Sequence, residues 1–496
     1  MSKRVLKNGF IYRGGKFLPG SILIDNRSIS AISDGEIIAP DAEISDLSGA
    51  WVMPGFEDAH THPAGRARTL KELDLRNKDI TWTEATEIIR NKAQQTPIGE
   101  FVVCHGWNAE KWNVNRSELD RLSSDRGIFM INISYHGGML NSCALKILKR
   151  DDVSLEHSNG FVSELEYQKV FIATSPNMEA YMRFIPEYHK RMFALGIVAA
   201  HDMNVATLEQ LTAYGRLDEA GQLKMRTFIY LNPCLFDKGK DLTKYISHKG
   251  KMMEVRGLKL FLDGAIGTHT AALTSDYSDG HGAGHIRTNY DECARLISKA
   301  AGLGLQDIAM HCIGDAGVAL AVKLFEDLRD KYSGKIKSWR FEHFELPDAR
   351  AIDSLKHGGG IASMQPNFSW DALNYAKSLG DRVWKINPLK QILSAGVSLV
   401  FGSDDMPSGP IEGIRWATSL APSETQRLTE EESVAAYTHS PALITGAGAS
   451  RGKIEKGFEA NLAVFAENPL DKQSDHKVSQ LWIHGKKVFD QIESNP

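Results

Sequence analysis

WVMPGFEDAHTH, residues 51–62, is an apolar run that closes on two histidines one residue apart. Side chains of a strand alternate faces with a period of two, so a strand ending here puts His60 and His62 on one face. Two imidazoles so placed are a chelate for a divalent metal. Seven further strand-like runs follow: 196–203, 224–231, 257–264, 305–312, 338–344, 359–366 and 397–404. Most are separated by helix-length segments, which predicts a parallel sheet. Eight such strands predict an α/β fold, a distorted (β/α)8 TIM barrel, with its active site at the C-terminal ends of the strands. Four later runs carry a polar residue at or near those ends: Lys259 in GLKLFLDG, His311 in DIAMHCIGD, His343 in WRFEHFE and Asp404 in LVFGSDD. Together with the two histidines they read as a hydrolytic metal site.

The flanking sequence sets the domain organisation. Residues 66–190 fall between the first and second strands, where a short loop is normal, and are expected to form an inserted cap subdomain over the barrel mouth. That segment has strand-like runs of its own, FVVCHGW and IFMINISYHG, and is rich in aromatics. Residues 1–50 and 450–496 alternate apolar and polar positions around glycine turns, with turns expected at Gly14-Gly15, Pro19-Gly20 and Asp25-Asn26. An isolated hairpin pair is marginal in water, so both termini are expected to build one small β-sandwich. The barrel then takes 51–65 and 191–449.

Composition excludes several partners. The 496 residues are 42% hydrophobic and 24% charged, with a net charge of -4 and no basic stripe for nucleic acid or membrane. A small-molecule substrate is the expected partner, with a homodimer as the candidate assembly. Five cysteines without CxxC spacing suggest neither a disulfide framework nor a structural zinc knot, and with no apolar leader or spanning stretch they predict a cytoplasmic protein.

The motifs VMPGFEDAHTHP, KLFLDGAIG, HCIGDAG, EHFEL and GSDDMP resemble the amidohydrolase superfamily, and HGWN, NSCAL and the long insertion resemble its YtcJ-like branch, amidohydrolase family 3. The closing segment GKIEKGFEANLAVF is similar as well. The resemblance implies metal ligands His60, His62, Lys259, His311, His343 and Asp404, drawn from strands one, four, five, six and eight. The residue chemistry agrees. Zinc-like ions take imidazole nitrogen and carboxylate oxygen, and two ions need a bridging anion, which Lys259 supplies if carbon dioxide carboxylates it. Asp404 and His343 are the expected catalytic residues, with Asp404 accepting the proton of the attacking water. The expected reaction is hydrolysis of a non-peptide carbon–nitrogen bond in an amide, formamide or cyclic amide. A lactone or phosphoester hydrolase, a mononuclear enzyme and a non-catalytic descendant of the barrel are the alternatives.

Cys312 follows His311 and faces the other way in a strand, as a small buried hydrophobe. His269, Trp107 and His201 are candidate substrate contacts, and Trp112 and Trp370 are further candidates for an apolar pocket. His269 stands in DGAIGTHTAAL where the family usually has an arginine, and a histidine offers no permanent bidentate cation for an anionic substrate. EHFEL and QPNF also depart from the commoner family patterns EHAQ and QPxH.

Overall fold

The computed structural model describes residues 3–76, 80–109, 111–133, 135–151, 153, 155, 159–236, 241–248, 250–369, 373–405, 409–474 and 476–491. The chain divides into two compact units, 1–65 with 185–496 and 66–184.

The larger unit is built on eight parallel strands paired in chain order: β1 (Phe56–Thr61), β2 (Ile197–Val205), β3 (Arg226–Leu231), β4 (Met253–Phe261), β5 (Asp307–Cys312), β6 (Ser338–His343), β7 (Ile361–Met364) and β8 (Ser398–Phe401). All six residues of β5 and of β6 are buried, as a parallel sheet covered on both faces requires. Across the seam between β8 and β1, the Asp404 N–H donates to the His60 carbonyl at 2.7 Å.

Helices start where the sequence supplies a cap. Thr207 and Gln210 form a capping box before Leu208–Glu219, and Asn289 and Asp348 cap Tyr290–Leu303 and Ala349–Gly358. Gly304 and Gly359 close the latter two in the left-handed conformation.

The run 51–62 is divided. Trp51–Pro54 pairs with Lys3–Arg13 and Leu462–Phe465 and so belongs to the sheet made by both termini, while β1 begins after Gly55. A Cβ at Gly55 would lie 2.4 Å from Val198 Cγ1, so the chain crosses between sheets where only glycine fits. The terminal sheet has eight strands over an apolar core including Leu6, Ile22, Val52, Leu462 and Trp482. Its first hairpin turns at Gly14-Gly15, both with positive φ, and the second at Asn26. Pro19-Gly20 is no turn. It lies inside Lys16–Asp25, opposite Phe10 and Gly9, and the irregularity falls on the other strand between Leu6 and Gly9.

The unit 66–184 has its own five-stranded sheet, in the order Phe161–Ser163, Gly137–Leu140, Gly127–Asn132, Phe101–Trp107, Leu73–Asp74. The run FVVCHGW is the fourth of these.

Candidate metal centre

Register explains which side chains meet at the strand ends. Lys259 pairs with Ala309 and Ala309 with Arg340, while Phe261 pairs with His311 and His311 with Glu342, so residues on these rows point to the same side. His343 is next to Glu342 and, in a regular strand, would point away from it. Its φ of 69° and the 49° of Phe344 turn the chain out of the extended region. The His343 ring consequently lies 4.7 Å from the His60 ring and 4.4 Å from the His311 ring.

Ligand atoms of His60, His62 and Asp404 all lie within 4.8 Å of one another. His62 Nε2 is 2.9 Å from Asp404 Oδ1, and His60 Nε2 is 3.8 Å from the same oxygen. Lys259 Nζ lies 3.4 Å from His60 Nε2. His311 connects to this group through His343, and its Nε2 is 2.9 Å from the Gly264 carbonyl oxygen.

Burial and charge set the protonation states. Burial pushes the His60 imidazole down to about 4 and the Lys259 ammonium down to about 8. Burial, then the electrostatic influence of His60 and Lys259, holds His343 well below its usual value. For Asp404 burial acts upward, but His62, His60 and His343 outweigh it and keep the carboxyl well below the usual range. Burial likewise opposes charge on His62, and Asp404 overcomes it, so His62 is raised.

These residues fit a divalent metal. His343 Nδ1 is buried with no hydrogen-bond partner, and a neutral imidazole nitrogen without a partner costs desolvation unless something electrophilic faces it. The neutral imidazoles of His60 and His343 beside the ionised Asp404 belong to the donor set of zinc-like ions, and a metal would displace the proton that His62 shares with Asp404.

A surrounding layer, which the sequence did not reveal, orients the donors. Glu342, fully buried, lies 2.6 Å from His60 Nδ1 and 2.7 Å from Arg340 Nε. Burial would raise the Glu342 carboxyl, but Arg340 and His60 hold it well below the usual range, so His60 donates its Nδ1 proton and turns Nε2 towards Asp404 and Lys259. Asp405 accepts hydrogen bonds from Thr61 Oγ1 (2.8 Å), the His62 N–H (2.9 Å) and the Tyr188 hydroxyl (3.1 Å). Of the two adjacent aspartates, then, Asp404 faces the histidines and Asp405 ties down the loop that carries His62. Asp404 and Asp405 have φ of 48° and 58°, a steric cost sustained by these contacts.

The other candidates are not among the grouped ligand atoms of His60, His62 and Asp404. His201 is inside β2, not at its end, and is fully buried; its Nε2 is 3.0 Å from Glu57 and its Nδ1 accepts from Arg340 at 2.8 Å. With both nitrogens engaged in a packed network, it offers no face to substrate. Trp107 is buried in the core of the 66–184 unit with Trp112, whose carbonyl accepts its indole N–H at 2.9 Å. His269 follows β4 and its Nε2 is 2.9 Å from Asp279. Trp370 lies outside the described residues.

Residues 43–489 match the pattern of a family described as "Amidohydrolase family". The chain is 26% identical over 494 residues to the putative amidohydrolase YtcJ of Bacillus subtilis (strain 168), covering 91% of each chain. It is 26% identical over 481 residues to the N-substituted formamide deformylase of Arthrobacter pascens, covering 87% of this chain and 86% of that protein. An uncharacterized metal-dependent hydrolase from Pyrococcus furiosus has a similar crystal structure, with a TM-score of 0.76 and 28% identity over 95% of this chain and 100% of the other.

Proposed function

We propose, for a chain that belongs to the amidohydrolase family and is a metal-dependent hydrolase of non-peptide carbon–nitrogen bonds, that the substrate is a small formamide or cyclic amide attacked by water between Asp404 and the strand-end histidines. The observation that carries this is the convergence of His60, His62 and Asp404 on one point beside the unpartnered His343 Nδ1. The formamide class is suggested by the relative named N-substituted formamide deformylase.

His60, His62 and Asp404 would hold one zinc ion and His311 and His343 a second, with Lys259 between them as a carbamate. When bound, the metal polarises the scissile carbonyl and acidifies the attacking water. Lys259 is suited to carboxylation because burial leaves roughly a tenth of its amine neutral at pH 7. The ammonium first loses a proton to solvent; the neutral Nζ then attacks carbon dioxide and releases a second proton, so that a cation becomes an anion. Glu342 keeps the Nδ1 proton on His60 and so fixes which nitrogen faces the reacting centre. One Asp404 oxygen would serve as the metal ligand beside His60 and His62, and the second carboxylate oxygen takes the proton of the attacking water. As the water oxygen bonds to the carbonyl carbon and the carbon–nitrogen bond breaks, Asp404 returns that proton to the leaving nitrogen. The products are a carboxylic acid and an amine. His343 completes the reacting centre, its ring stacked on Phe368 at 5.8 Å. Five free cysteines fit a reducing compartment, and we assign the enzyme to the cytoplasm.

Elemental analysis of chelator-free protein, native intact mass and a panel of formamides, N-acyl amines, cyclic amides, lactones and phosphoesters test this together. Two ions per chain, the mass of one added carbon dioxide and turnover of a formamide or cyclic amide are expected. One ion without the added mass would overturn the bridged pair. Turnover confined to lactones or phosphoesters would overturn the substrate class.

A further inference from the structure

A second group of metal-ligating side chains lies outside the strand-end cluster. Ligand atoms of His269, Asp279 and His281 all lie within 4.8 Å of one another. His269 Nε2 is 2.9 Å from Asp279 Oδ2, and His281 Nδ1 is 3.0 Å from Asp279 Oδ1, so each imidazole addresses its own oxygen of one carboxylate. The two rings stack with centroids 4.1 Å apart and planes 23° apart, which brings their nitrogens to the carboxylate side by side.

The site is built by three segments. His269 ends the short turn Ile266–Thr268 after β4 and has φ 56°, a left-handed conformation that a histidine adopts at a steric cost. Asp279 and His281 flank Gly280, and Gly280 and Gly282 have φ of 88° and 70°, so the chain doubles back and presents both side chains to one point. Ser378, in the short helix Ala376–Leu379, donates its hydroxyl to Asp279 Oδ2 at 2.8 Å and lies 3.2 Å from His269 Nε2. The Asp279 side chain is 6% exposed and that of His281 is 60% exposed, so the carboxylate is fixed from inside while one imidazole stays open to solvent.

We propose that His269, Asp279 and His281 form a binding site for one divalent transition metal of the zinc class, separate from the hydrolytic centre. Two imidazoles and a carboxylate are a three-donor set that leaves a fourth position for solvent, and imidazole selects zinc, nickel or copper over magnesium and calcium. Donors around a tetrahedral zinc stand about 3.3 Å apart for bonds of about 2.0–2.1 Å; the two imidazoles lie 2.9 and 3.0 Å from the two oxygens of Asp279, and one ligand atom of each residue lies within 4.8 Å of the others. On binding, the proton of each ring moves to its other nitrogen and the rings stay neutral. Ser378 holds the carboxylate as an outer partner holds a ligand. The ion would clip the two ends of the loop after β4, His269 and the Asp279–His281 turn, to each other, a structural role.

The test compares the full-length wild type with His281→Ala, a substitution at a solvent-exposed side chain. Each is stripped with chelator, dialysed against zinc and analysed for zinc per chain, and melting temperature is followed as zinc is added. The expected result is one zinc equivalent fewer in His281→Ala and loss of one zinc-dependent rise in melting temperature. His62→Ala, run in parallel, is expected to keep the equivalent that His281→Ala loses. The same zinc content and the same zinc-dependent melting in wild type and His281→Ala would overturn the site and leave a hydrogen-bonded clasp. Zinc uptake that needs millimolar metal would overturn it too. Asp279→Asn supplies a second variant, expected to lose the same equivalent.

Discussion

Glu342→Gln isolates the residue that orients His60. The carboxylate is fully buried and accepts from both Arg340 Nε at 2.7 Å and His60 Nδ1 at 2.6 Å. Glutamine keeps the volume but offers one acceptor oxygen, and its amide N–H2 then faces a donor. Two losses follow. If the oxygen stays on Arg340, His60 loses the partner that fixes its tautomer, and outer-shell carboxylates of this kind are worth about 10–100-fold in metal affinity. That is about 1.4–2.7 kcal/mol. Removing the charge also leaves the Arg340 guanidinium buried without its anion, and breaking such a pair costs roughly 3–5 kcal/mol of stability. Arg340 keeps bonds to the Tyr230 hydroxyl (2.9 Å), the Ala59 carbonyl (2.6 Å) and Ser363 (3.0 Å), so the lower end is expected. The assays are urea unfolding of the chelated protein, where no metal contributes, and a competitive zinc titration of the folded protein. Destabilisation with unchanged zinc affinity would refute the orienting role and leave Glu342 as the counterion of Arg340 alone.

Three further outcomes follow from the same geometry. Lys259→Ala should lose the bridged pair and the added mass of carbon dioxide; two metals with full activity in that variant would remove the carbamate from the mechanism. Asp404→Asn keeps an oxygen for metal but cannot carry the water proton, so metal content should hold while kcat falls by about 10²–10⁴-fold, checked by steady-state kinetics beside elemental analysis. Glu459 lies 3.1 Å from His484 and, although burial acts upward, His484, Arg226 and Arg451 lower its carboxyl to about 2. A depressed carboxyl stabilises the fold above its unfolded value near 4.5 and loses that contribution as pH falls towards about 2. Wild type should therefore exceed Glu459→Gln in melting temperature at pH 6, with the gap narrowing between pH 5 and 3; a gap independent of pH would assign the difference to packing.

What the sequence made legible were features that repeat or lie close together in the chain. The eight strand runs show because β5 and β6 are apolar on both faces, and the His60–His62 pair shows because a period of two is local. What stayed hidden depends on where the chain departs from that period or on contacts across the sheet. By alternation, His343 should point away from Glu342; a left-handed residue brings it to the site, and no local pattern in WRFEHFE announces that turn. Glu342 reads as an ordinary charged residue until the register places it opposite His311 and beside His60, 282 positions earlier in the chain. His201 lies near the end of the apolar run 196–203, yet β2 continues to Val205 and leaves it inside the strand. The pair Asp404-Asp405 is the sharpest case. Both have left-handed φ, so alternation gives no rule for which one turns inward, and the choice rests on Thr61, the His62 N–H and Tyr188 claiming Asp405. With Asp405 so engaged, Asp404 is the carboxylate that meets His62. The loop contacts of Asp405 therefore leave Asp404 to the acid–base role proposed above, and weakening them at Thr61 or Tyr188 should disturb catalysis without replacing a proposed ligand.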